Sequence, residues 1–101
     1  MRNSEYEGNA AKISRCKLAI RECEEEMIVL QSRLHGGRIS AEARAQMQES
    51  IDFCAIRIGN NRHTVTDLTF RNMRIMAQHV QATREKIEAR VADMVHEEAV
   101  A

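Results

Sequence analysis

Apolar residues recur in the first third of the chain at Ile13, Cys16, Ile20, Cys23, Met27, Leu30 and Leu34, with gaps alternating between three and four. That alternation is an unbroken heptad seam, the spacing that keeps one apolar stripe facing a partner helix. The positions between are mostly charged (Arg15, Lys17, Arg21, Glu22, Glu24, Glu25, Glu26, Arg33), so the segment has one dry side and a wet remainder. The pattern predicts a helix over 9–35 behind a frayed lead-in over 1–8. Tyr6 falls on the upstream extension of the seam, where it would cover the open end of a hairpin. Gly36 and Gly37, the only adjacent glycines, are expected to stop the helix. Glycine takes the left-handed conformation of a helix C-terminus at low steric cost.

Ser40 offers an N-cap for a second helix, with Glu42 in the first turn where the helix dipole favours an acid. A connection this short makes the two helices antiparallel neighbours. Folding the chain at Gly37 sets Met27 against Met47, Cys23 against Ile51, Ile20 against Cys54 and Cys16 against Ile58. The second-helix positions run four, three, four, so the two stripes agree without adjustment. Gly59-Asn60-Asn61 weakens a helix, and Thr64-Val65-Thr66-Asp67 reads as a fresh cap, so a break is expected near 59–66. The alternative is one helix from Ser40 to near Glu97, about 87 Å long at ~1.5 Å per residue, which no proline forbids.

With the break, the helices fall at 9–35, 40–58 and 66–97, and 98–101 frays. The last helix carries Phe70, Met73, Met76, Val80, Ile87, Val91 and Met94 as its apolar surface, with Leu68, Ile75 and Ala82 in a narrower second stripe. A large seam side chain contributes about 1.5–3 kcal/mol when buried, while ordering costs about 1.5 kcal/mol per residue. A hairpin alone is therefore marginal, and the third helix is expected to dock on it or on another copy. The expected fold is all-α: one domain over 1–101, an antiparallel coiled-coil-like hairpin plus a third C-terminal helix, completed by self-association.

Composition agrees with long helices. Proline is absent, glycine numbers 4, and the only aromatics are Tyr6, Phe53 and Phe70. Fifteen basic and fifteen acidic side chains cancel, so net charge steers the chain toward neither nucleic acid nor an anionic membrane. Met1–Ala10 has no apolar run and Met27–Leu30 is too short to span a bilayer, so a soluble, cytoplasmic protein without a signal peptide or membrane contact is expected. The three cysteines include no CxxC pair. Their plain reading is as small buried hydrophobes. Cys23 and Cys54 are the candidate disulfide pair, leaving Cys16 free or available to a second subunit.

No constellation for catalysis stands out, and neither cofactor nor metal is expected. Cys16 and Cys23 lie two helical turns apart, about 10 Å, too far to share an ion. The four histidines stand singly. The strongest local charge feature is Arg57, Arg62, His63, Arg71 and Arg74, which face a single acid, Asp67. Arginines beside a helix start can hold a phosphate through forked donors and the dipole, so anion or nucleic-acid contact is the alternative function. Only Phe70 stands near as a stacking ring, which disfavours single-strand recognition. The leading expectation is a non-enzymatic interaction and assembly module, structural, adaptor-like or inhibitory, that binds itself and a partner protein. Small accessory and virus-encoded proteins often have this character.

Overall fold

The computed structural model describes residues 3–100, which form two helices and no strand. α1 (Ser4–Gly36) and α2 (Ala41–Val100) fold back antiparallel across residues 37–40 into a rod of 91 × 17 × 15 Å. The 60 residues of α2, at about 1.5 Å each, account for that length.

α1 begins five residues before the seam spacing suggests. Asn3 is extended, and its side-chain oxygen accepts the Tyr6 N–H at 2.9 Å, with Glu5 and Glu7 in the first turn. This cap satisfies an otherwise orphaned donor and starts the helix ahead of its first core contact. The expected frayed lead-in is thus helical from Ser4, and α2 stays helical to Val100; residues 1, 2 and 101 lie outside the described residues. At the other end of α1 the expected left-handed glycine is not used. Gly37 is extended (φ −146, ψ 164), and no described glycine has positive φ. The connector turns on Ser40, whose hydroxyl accepts the Ala43 N–H at 3.1 Å.

The α1 seam faces α2 as its spacing requires. Cys16 and Cys23 are buried and the other five seam residues half-buried, while Leu18, Ile28 and Val29 face outward. From α2 come Ile51, Cys54, Ile58, Leu68 and Asn72. Cys23, Cys54 and Ile58 form one cluster on which Ile20 and Met27 pack. The register differs from a fold at Gly37. The chain turns about the middle of the connector, so partners on α2 sit about one helical turn further along. Cys23 shares its layer with Cys54 and Ile58, Arg44 reaches the Leu34 carbonyl, and Asn72 meets Tyr6 and Asn9. Cys23 and Cys54, the candidate disulfide pair, are not bridged, and all three cysteines are buried free thiols, their plain reading.

The expected break at 59–66, and with it the third helix, is replaced by a continuous α2. A lone Gly59 costs only about 1 kcal/mol. Its neighbours are satisfied inside the helix: Asn61 donates to the Arg57 carbonyl (2.8 Å), Thr64 to Asn60 (3.1 Å) and Thr66 to Arg62 (3.0 Å). The Thr64 hydroxyl therefore bonds back along the helix instead of capping a new one. Packing carries α2 through, since Ile58, Asn61, Val65, Leu68, Asn72 and Ile75 keep the three-four spacing and are all buried or half-buried.

Nor does the C-terminal stretch dock on the hairpin. Every residue from Met76 to Val100 is exposed. Gln78 still shares a groove with Glu5 of α1, and the 22 residues from His79 to Val100 extend past α1 for about 33 Å. Continuing the seam spacing beyond Ile75 shows why: His79, Ala82, Lys86, Ala89, Asp93 and His96 offer that face little to bury.

At the open end Asn9 donates to the Asn72 side-chain oxygen (3.0 Å), and Asn72 donates to the Tyr6 carbonyl (3.2 Å). Asn72→Ala should cost about 1–2 kcal/mol and speed amide exchange in the first turns of α1 more than near the connector. In urea unfolding, Ile20→Asp should cost on the order of 3 kcal/mol by placing a charge against the cysteine cluster. Glu25→Lys, on the solvated side, should be near neutral, and equal effects at both positions would mean the wrong face of α1 had been assigned.

Candidate functional site

The hairpin leaves an apolar face on the C-terminal half of α2 without a partner, while Leu18, Ile28, Val29, Phe53 and Ile56 are exposed elsewhere on the hairpin. Leu68, Asn72 and Ile75 turn toward α1, so the narrower sequence stripe is the covered one, with its third member, Ala82, exposed. Phe70, Met73, Met76, Val80, Ile87, Val91 and Met94 face away, each between 41% and 62% exposed. Helical spacing brings all but Phe70, which sits on the flank, onto a single face of α2. Val95 extends that flank and is 59% exposed, a residue the stripe count omits.

Two local features shape this face. Where α1 still runs alongside, Met73 and Met76 form an open groove with Tyr6, Ala10, Ile13 and Lys17 of α1 and Thr69 and Asn72 of α2. Farther along, Val80, Thr83 and Ile87 make a shallow apolar depression edged by His79, Arg84 and Glu88. Sequence alone missed the α1 side of the groove, because Ile13 read there only as a seam residue facing α2. Their contribution depends on how far α1 reaches along α2. Methionine suits such a face, since its unbranched thioether adapts to an incoming surface.

The basic stretch does not converge. Arg57 and Arg74 stand about 26 Å apart along one helix. Arg62 pairs with Glu24 across the hairpin (3.1 Å), and Arg71 pairs with Asp67 one turn back (3.2 Å). Arg74 shares a groove with Glu5, Asp67 and Arg71, where both signs of charge are present. His63 is exposed. The helix start that would have aimed a dipole at a phosphate is gone, because α2 is continuous there. The Arg57, Arg62, His63, Arg71 and Arg74 set is thus spread along and around α2, with Arg62 and Arg71 paired to acids.

The cysteine cluster is a quiet centre. Burial first, then the neighbouring Glu26 carboxylate and Cys23, push the Cys54 thiol above its usual range, against a weaker opposite pull from Arg57. A thiol held protonated is a poor nucleophile, so Cys54 is chemically quiet where it sits. Among the described residues no group of three or more His, Cys, Asp or Glu is placed to hold a metal ion, and no helix is long and apolar enough to cross a membrane.

A thiol raised on folding binds its proton more tightly in the native state. Its contribution is fully present below the unfolded thiol's value, about 8.5, and is lost as pH rises through the folded one. Thermal stability should therefore hold up to about pH 8.5 and fall as pH rises beyond it, and Cys54→Ala should flatten that slope. An unchanged slope would remove Cys54 as its source. No protein-family model matches the chain, nor does any curated protein or solved structure.

Proposed function

We propose that this chain is a helical interaction and assembly module, structural or adaptor-like, that works by covering the free face of α2 with another helix and does so by self-association. The observation that carries the reading is the unequal length of the helices. α1 spans 33 residues and α2 spans 60, and the uncovered part of α2 keeps an apolar stripe interrupted at Thr83 and Arg84. Scattered apolar residues are normal on a surface, whereas a contiguous patch marks a contact site. A face of this kind binds by shape and area, with no catalytic group needed.

Sedimentation equilibrium should give a mass above the 11.5 kDa of one chain. Ile87→Asp should return the protein to a monomer and abolish the dependence of its unfolding midpoint on protein concentration, since self-association stabilises by mass action, while the exposed Ile87 lies outside the hairpin's own core. A wild-type chain that stays monomeric at its highest soluble concentration would overturn the reading.

A further inference from the structure

Resting on the reading of this face as a self-association surface, we infer that a second copy docks antiparallel, about a twofold axis between Thr83 and Arg84. The stripe is its own mirror image. Met73, Met76 and Val80 are followed by Ile87, Val91 and Met94, with gaps of three, four, seven, four and three. Turned end for end about the centre, Met73 lies opposite Met94 of the second copy, Met76 opposite Val91, and Val80 opposite Ile87. A twofold interface requires this self-complementarity, because each residue must meet its counterpart in both directions. The layers span about 32 Å of helix.

Two further features fit this arrangement. It lays residues 91–98 of the second copy along Thr69–Met76, inside the groove beside Tyr6, Ala10 and Ile13. The hairpin mouth then becomes a three-helix layer at both ends of the dimer. It also closes a flank. Phe70 and Val95, 61% and 59% exposed, lie on the same side of the stripe and meet across the interface. The opposite flank brings Lys86 and Arg90 near His79 of the second copy, so the apolar layers, not ion pairs, set the register.

The test uses the full chain with Val80→Cys and Ile87→Cys made separately, oxidised alone and as a mixture. Phe70→Cys with Val95→Cys serves as a second pair. Wild-type protein, whose thiols are buried, sets the background. The expected result is a strong covalent dimer from each mixture and at most background from each variant alone. A single variant that links to itself indicates parallel packing and overturns the inference. Sedimentation of the same samples separates the two claims: an associated chain without the mixed link defeats the antiparallel register alone, whereas a monomer defeats the underlying reading as well.

Discussion

One helix of 33 residues cannot cover one of 60. That inequality organises the molecule. Over the shared length, a three-four seam on each helix removes the apolar side of both from water. Past it, α2 has no neighbour within the chain, and its seam positions turn polar or small. Its apolar character shifts to another face, which begins while α1 is still alongside and runs on nearly to the end. The hairpin and the free face are thus two successive uses of one helix, separated along its length and around its circumference.

The shared seam is thin. Its centre holds Cys23 and Cys54 in place of leucine-sized residues, with no aromatic ring beside them, and its buried amide, Asn72, lies at the open end. Small side chains let the helices approach closely but bury little area each, so stability accumulates slowly along the hairpin. Asn72 compensates in specificity. Its bonds to Asn9 and the Tyr6 carbonyl are made in a single alignment of the helices, and a slip of one heptad would leave amides unpaired in a dry place. The connector holds the other end. Together they set where α1 stops and hence where the groove opens.

Much of this was legible in the sequence. The seam from Ile13 to Leu34, the turn after Gly36 and the Ser40 cap follow from spacing and residue chemistry, and so does the set of residues on the exposed stripe. Three things were not legible. The break at Gly59-Asn60-Asn61 is a local weakness overridden by the seam through Ile58, Val65 and Leu68, and local propensity yields to packing that sequence shows only as period. The register depended on whether the chain turns at Gly37 or at the centre of its connector, a difference of one helical turn. The arginine stretch looked like a cluster because it is dense in sequence, but a straight helix spreads it along a rod and pairs Arg62 and Arg71 with nearby acids.

The free end of α2 has a consequence for how its shape arises. A peptide of 22 residues is a marginal helix in water, chiefly because the first turn is costly to nucleate. Here that turn is already formed, since the segment grows out of a helix clamped by α1. Its helicity is inherited by propagation, one backbone bond per residue, with the junction near Gln78 as the seed. Loosening the hairpin there would unwind the extension from both ends at once.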